Sequence, residues 1–383
     1  MKIVLATPIY PPEIGGPATY IKEIAERLCG THSITIVAYA STSEYIPGTK
    51  LITVSKQRAL PLRLIKYTWV LFRESKNADI IYVQNAMASG LPAVIVSALR
   101  RVPVILKFVS DEAWERATQQ KYTKKKLGDF LIKPEGPLKI KLMMMLQGFV
   151  LRRATLVTTP SRYLSEEIVK AYGVQKARAV VNYNAADKTE TLPFETKRVA
   201  HQIATTARLV EWKGIDGLIR AMAIVTKSIP DAQLVIAGDG PLETSLKKLS
   251  EDIGVSKNVT FLGRVSRAET WQLRKNSEIY VLNSSYEGLP HTVLTSFAAE
   301  IPTIATDTAG TNEAVYHEET GLLVPVGDDE ALARAIIRLL HDQALQEKIV
   351  GGGSRILREK FSWEAHLQGL SSLFETVLAK PNN

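Results

Sequence analysis

Short apolar runs of strand length alternate with longer segments whose apolar residues recur at helical spacing, and the series runs through twice in 383 residues. The first series opens with a strand expected over residues 2–6. A helix over 18–28 follows, with Ile21, Ile24, Ala25 and Leu28 on one face. Further strands are expected over 34–38, 80–84, 104–108 and 156–159. The second series starts at 203–207, with strands at 233–237, 259–262, 279–282 and 303–305. Its helices are expected over 217–227, 242–253, 267–275 and 292–299. Alternation of this kind builds parallel sheets covered by helices on both faces. Two such series predict an α/β protein of two doubly wound, Rossmann-like domains facing across a cleft. The boundary is expected in the polar stretch 184–201, interrupted by Pro193, giving an N-terminal domain of residues 1–187 and a C-terminal domain of 188–362. Phe361-Ser362-Trp363 opens a last helix, 363–383, with Ser362 as its expected N-cap; this helix is expected to pack back on the first domain. The run Gly351-Gly352-Gly353 is expected to break the end of the preceding helix.

Composition excludes several classes. The single cysteine, Cys29, permits no internal disulfide, and its place beside Leu28 reads as a packed thiol. No secretory leader is expected, because the first strand run ends at Pro8. The longest nearly apolar stretches, 90–99 and 142–151, fall short of the roughly 20 residues that span a bilayer. A cytoplasmic protein is expected, peripheral on the inner face of the membrane. Charge is lopsided: residues 1–190 carry 28 Lys and Arg against 15 Asp and Glu, a net of +13, while the remainder carries 20 against 24. One half therefore faces an anionic partner. Residues 58–76 and 121–153 interleave cations with apolar residues, a pattern that suits an anionic membrane surface. A solvated helix face explains the same pattern equally well. Nucleic acid is not expected, since no binding module appears.

Four strand-to-helix junctions carry the chemistry. Ser284-Ser285-Tyr286-Glu287-Gly288-Leu289-Pro290 sits between an expected strand and helix. In open α/β sheets ligands bind at that edge, and a helix start offers N–H groups to phosphate. Glu287 is suited to accept sugar hydroxyls. Arg208 and Lys213, five residues apart after the first strand of the second series, can neutralise a departing diphosphate. Gly238-Asp239-Gly240-Pro241 reads as a tight turn, with Asp239 a candidate helix cap. Gly15 and Gly16 permit close approach of the backbone to a ligand. No metal is expected: there is no D-x-D, and the six histidines show no ligand spacing. His317 reads as a solvent-facing loop residue. The dinucleotide fingerprint G-x-G-x-x-G is absent, which argues against a nicotinamide-dependent dehydrogenase.

In order and spacing these pieces resemble the retaining glycosyltransferases of the GT-B fold, the large family 4 (group 1). The likeness also takes in Phe261-Leu262-Gly263, Pro302-Thr303-Ile304-Ala305 and Gly321-Leu322-Leu323-Val324. It implies transfer of a sugar from a UDP- or GDP-sugar to an acceptor hydroxyl of a glycan or lipid-linked molecule, with the anomeric configuration kept and with no cofactor. Cell-envelope polysaccharide or glycolipid synthesis is the implied setting. By the same resemblance Arg208 and Lys213 hold the diphosphate and Glu287 the sugar. The N–H groups of Gly288, Leu289 and His291, flanking Pro290, face sugar or phosphate. Gly16 closes over the diphosphate, and Arg264 and Val265 seat the base. Two departures stand out. Thr295 occupies the place of a second glutamate usually set near the ribose. No histidine follows the strand after Val102-Pro103, which leaves Asp111 as the polar group nearest sugar or acceptor, and Trp114 as either a sugar platform or core. A nucleotide-sugar epimerase of the same fold and a non-catalytic sugar-nucleotide-binding subunit remain alternatives.

Overall fold

A computed structural model describes residues 1–13, 15–41, 44–57, 59–186 and 197–379. The chain divides into two compact units: Met1–Asn182 with Gly369–Asn383, and Tyr183–Gln368. The boundary expected at 187/188 lies in 187–196, outside the described residues.

Among the described residues the first unit holds seven parallel strands: β1 (Lys2–Thr7), β2 (Ser33–Tyr39), β3 (Thr49–Val54), β4 (Ile80–Gln84), β5 (Val104–Lys107), β6 (Leu156–Thr159) and β7 (Ala179–Val181). Their order is β3-β2-β1-β4-β5-β6-β7, so the winding reverses between β1 and β4. β3 and β7, the two edges, escape the pattern reading. β3 is only partly buried and mixes polar with apolar residues, while β7 is only three residues long, too short to show a period. The main helices are α1 (Gly16–Leu28), α2 (Leu60–Glu74), α3 (Leu91–Arg100), α4 (Glu112–Gln119), α5 (Leu127–Ile132), α6 (Leu138–Arg153) and α7 (Arg162–Tyr172). Right-handed crossovers put α1 on one face of the sheet and α2, α3, α6 and α7 on the other. α2 packs on α3, and α3 on α6.

Among its described residues the second unit has six parallel strands: β8 (Gln202–Thr206), β9 (Gln233–Ala237), β10 (Val259–Gly263), β11 (Ile279–Leu282), β12 (Thr303–Thr306) and β13 (Leu322–Val324). The order β10-β9-β8-β11-β12-β13 reverses between β8 and β11. Helices α8 (Ile215–Ser228), α9 (Glu243–Asp252), α10 (Arg267–Asn276), α11 (His291–Ala298), α12 (Asp329–His341) and α13 (Gln343–Lys360) cover it. Successive strand side chains point to opposite faces, and the core splits accordingly. Ile203, Ile279 and Ile304 join Met222 and Ile336 on one side. Ala204, Tyr280 and Ala305 join Phe297 and Phe361 on the other.

The glycine run does not break a helix; Gly351, Gly352 and Gly353 lie inside α13. A Cβ on Gly352 would fall 1.9 Å from the Glu319 carbonyl oxygen, and one on Gly353 would fall 2.8 Å from Cδ1 of Phe297. Close packing therefore overrides the poor helix propensity of glycine. α14 (Trp363–Leu378) starts in the second unit and ends in the first. Ser362 caps it as expected, its Oγ accepting from the Ala365 N–H at 3.2 Å.

Candidate functional site

In the second unit the site forms where the sheet winding reverses. Ligands of doubly wound sheets sit at the carboxyl ends of strands flanking such a point, and here those strands are β8 and β11. The loop after β8 is drawn against the turn after β9. The Leu209 N–H donates to the Asp239 carbonyl at 2.8 Å, and the Leu242 N–H to the Leu209 carbonyl at 3.2 Å. This approach demands glycine. Gly238 has φ +136° with the Ala207 oxygen 1.9 Å from where a Cβ would stand, and at Gly240 the Leu209 oxygen would be 2.4 Å away. On the other side the β8 loop is pinned to the β11 loop. The Ser285 N–H donates to the Trp212 carbonyl at 2.8 Å. Asn283 Nδ2 donates to the Gly214 carbonyl, also at 2.8 Å.

These bonds bring Lys213 and Glu287 together. Lys213 Nζ lies 2.6 Å from Glu287 Oε1, with the side chains 20% and 11% exposed. Arg208 stands exposed nearby in sequence, and its guanidinium makes no hydrogen bond or ion pair with any described residue. After Glu287 the chain enters α11 through Pro290, without a side-chain cap. Gly288 and Leu289 are buried, and among the described residues their N–H groups meet no acceptor. Buried backbone N–H groups seldom stay unpaired. An oxyanion offered to them gains two hydrogen bonds and the positive field of the helix start. His291, the first residue of α11, directs Nε2 to the Ala185 carbonyl at 3.1 Å.

Other expected site residues are already engaged. Asp239 caps no helix, because Arg264 takes its carboxylate instead, Nη2 and Nε lying 2.7 and 3.0 Å from Oδ2. This pair is exposed, while Val265 beside it packs against the core. Thr295 turns its hydroxyl back to the Thr292 carbonyl at 2.9 Å, so it satisfies its own helix. His317 is a half-exposed loop residue whose Nδ1 accepts from the Leu323 N–H at 3.0 Å.

One buried cation escaped the sequence reading. Arg274, 5% exposed on α10, donates to Thr206 Oγ1 at 2.6 Å and stacks over Tyr280 at 5.1 Å. Thr206 ends β8, two residues before Arg208, so this guanidinium underpins the start of the cationic loop. An arginine among polar residues of a surface-type helix gives no sign of burial.

In the first unit Gly15 precedes α1 in extended conformation, φ 165°. A Cβ there would meet Cδ1 of Ile9 at 2.7 Å, whereas Gly16 has open space within 4 Å. The first turn of α1 has no acidic residue, which leaves its N-terminus electropositive.

The expectation for Asp111 is corrected. It is 1% exposed. It caps α4, accepting from the Trp114 N–H at 2.8 Å, and also accepts from Gln147 Nε2 at 2.6 Å and from the Tyr172 hydroxyl. Burial raises its carboxyl and these donors offset part of the rise. A carboxylate enclosed in this way is a structural cap. Trp114 is core, 2% exposed, its indole N–H bonded to the Lys125 carbonyl at 2.9 Å. Its neighbour Glu112 is half-buried and accepts from the Met87 N–H at 3.3 Å. Burial raises the Glu112 carboxyl too.

Lys107, the last residue of β5, is 2% exposed with no hydrogen-bond partner for Nζ among the described residues. The Tyr20 ring, 4.3 Å away, favours the ammonium. Burial outweighs it and brings the amine down to about 7. Among the described residues no group of three His, Cys, Asp or Glu side chains is arranged to hold a metal ion. No helix of the described residues is long and apolar enough to cross a membrane.

Comparison with known proteins places both halves of the chain in known families. The family model for glycosyl transferases group 1 matches residues 189–354, and that for the glycosyl transferase 4-like domain matches residues 15–185. The lipopolysaccharide core biosynthesis glycosyltransferase LpsD of Rhizobium meliloti is 35% identical over 187 residues, 49% of this chain and 53% of that protein. The chain thus spans about half the length of that relative. A GDP-mannose-dependent phosphatidylinositol monomannoside mannosyltransferase of Corynebacterium glutamicum is 24% identical, over 98% of both chains. The crystal structure of Anabaena HepE in complex with UDP and glucose superposes with a TM-score of 0.79 at 18% identity, covering 98% of this chain and all of that one. Two parallel sheets each reversing once, a cation–carboxylate pair at the second reversal, and family models over both halves lead to one assignment: the chain belongs to the group 1 glycosyltransferases and has their GT-B fold of two Rossmann-like domains.

Proposed function

We propose that this protein transfers a sugar from a nucleoside diphosphate sugar, a UDP- or GDP-sugar, to a hydroxyl of a glycan or lipid-linked acceptor. The anomeric configuration is retained, as the motif resemblance implies, and the setting is cell-envelope polysaccharide or glycolipid synthesis. The observation that carries this reading is the Lys213–Glu287 pair, 2.6 Å apart, beside the N–H groups of Gly288 and Leu289, unpaired among the described residues. A lysine ammonium has three N–H donors. One is given to Glu287, and two remain for phosphate oxygens. The pair also fixes Glu287 by Oε1, leaving Oε2 to accept sugar hydroxyls. Arg208 brings a second, uncommitted positive charge.

As the bond to the sugar breaks, negative charge collects on the leaving diphosphate. Two cations and a helix start already in place stabilise that charge without reorganising, the form of electrostatic help worth most in catalysis. They serve the purpose a divalent ion serves elsewhere, and the proposed transfer uses no metal and no cofactor. The UDP of HepE and the GDP-mannose of the Corynebacterium relative support a nucleoside diphosphate donor of either base. The names of LpsD and the mannosyltransferase support glycolipid acceptors.

Thermal shift with a panel of nucleotide sugars tests the donor site, since a ligand that binds only the native form raises the melting temperature. Arg208→Ala and Lys213→Ala are each expected to abolish the shift given by the right donor while the protein stays folded, with the unliganded melt unchanged for Arg208→Ala and lowered for Lys213→Ala, which leaves Glu287 unpaired. Glu287→Gln is expected to keep the shift and to lose roughly 100-fold or more in turnover. Undiminished binding by both cation variants would remove the diphosphate assignment.

A further inference from the structure

Helices α2, α3 and α6 carry apolar side chains on the wrong side. A helix covering a sheet buries one stripe and turns polar residues outward. Each of these helices has its buried stripe: Tyr67 and Leu71 on α2, Ala93 and Val96 on α3, Val150 and Leu151 on α6. Each also has an exposed apolar one at helical spacing. On α2 it is Leu62, Ile65 and Trp69, 58%, 66% and 56% exposed, and on α3 Ile95 and Leu99. On α6 it is Leu138, Leu142, Met145 and Phe149, at steps of four, three and four residues. Between α2 and α3 the exposed Ile65, Trp69, Ile95 and Leu99, with the less exposed Phe72 and Pro92, wall an apolar groove of about 480 Å³.

The charge on the same three helices is of one sign. α2, α3 and α6 hold Arg63, Lys66, Arg73, Arg100, Lys139, Lys141, Arg152 and Arg153 against a single acid, Glu74. The Glu74 side chain is 7% exposed and already paired to Lys50 and Arg73. Three arginines stack on aromatic rings of this layer: Arg73 on Trp69 at 5.0 Å, Arg100 on Phe72 at 3.6 Å, and Arg153 on Phe149 at 5.6 Å. Two of these rings, Trp69 and Phe149, are exposed, and guanidinium beside an exposed aromatic is the pairing suited to a headgroup–acyl boundary, with the ring in the apolar layer and the charge at the phosphates.

We infer that the α2–α3–α6 layer of the first unit is a docking surface for an anionic phospholipid bilayer. Trp69, Leu99 and the α6 stripe enter the acyl boundary, and the arginines and lysines take lipid phosphates. Charge decides against a second copy of the chain. A two-fold interface sets the same patch against itself, which here opposes cations to cations with no exposed acid on the three helices to compensate. The inference is independent of the donor site, and its test uses no nucleotide sugar, so the two readings fail separately.

The test is flotation of the full chain with phosphatidylcholine vesicles, with or without an equal share of phosphatidylglycerol, alongside light scattering for oligomeric state. Strong binding to the mixed vesicles and weak binding to the neutral ones are expected, falling as salt rises. Trp69→Glu and Leu142→Glu are each expected to lower binding by about tenfold or more, with Trp69→Phe close to the parent. Both positions are surface-exposed, and unchanged circular dichroism verifies the fold. Equal binding to both vesicle types would overturn the inference. So would undiminished binding by the two glutamate variants, or a dimer in the parent that these variants dissociate.

Discussion

Single residues here reveal function through what their neighbours leave unsatisfied. Asp111 and Glu112 are adjacent in sequence in different settings: one is buried and enclosed by three donors, the other is half-buried and accepts from the Met87 N–H. A sequence shows two consecutive acids ahead of a helix and cannot rank them, because burial of the N-cap depends on Gln147 and Tyr172, 36 and 61 residues away. Lys107 gives the sharpest prediction at this scale. Its native amine titrates at about 7, against about 10.4 in an unfolded chain. Between those values the unfolded chain holds more protons, so stability rises with pH across that window and is lowest at and below its acid end. Lys107→Met is therefore expected to stabilise the protein by roughly 1–3 kcal/mol near neutrality. The advantage shrinks toward pH ~9, as urea melts across the pH range will show. A parent and variant with parallel pH profiles would contradict the buried, unpaired amine.

At the scale of elements, strand and helix positions followed from apolar period, and the buried central strands were the best read. β4, β6 and β11 lie where the pattern puts them. The edge β3 went unread because a half-buried edge strand need not be apolar, and the edge β7 because three residues are too few to show a period. α13 shows the converse failure, since three glycines in a row predict a break. Gly352 and Gly351 separate the two effects. Gly352→Ala sets a methyl against the Glu319 carbonyl and is expected to cost about 3 kcal/mol or more. Gly351 is exposed with nothing within 4 Å of its would-be Cβ. Gly351→Ala is therefore expected to stabilise the helix by about 0.5–1 kcal/mol. Thermal melts of the two variants compare them directly, and equal shifts would mean that propensity alone governs this helix.

On the scale of the whole molecule, donor binding is expected to act on a small part of the chain. Hydrogen exchange with and without UDP or GDP should show slowed exchange at residues 207–214 and 284–292, the loops after β8 and β11, with the α2–α3–α6 layer unchanged. Protection confined to the first unit would contradict a donor site built on the second. That two doubly wound units exist, and that the cations, the carboxylate and the glycines stand at strand ends, follows from local order: period, turn residues and spacing are properties of contiguous chain. Folding was needed to determine which of these groups meet. Lys213 pairs with Glu287 across 74 residues, Arg264 draws Asp239 from its helix, and Arg274 props β8 from another helix. Such pairings depend on which strands lie side by side. A one-dimensional pattern does not encode the order β9-β8-β11, because the apolar period that makes a strand is the same whichever neighbour it takes.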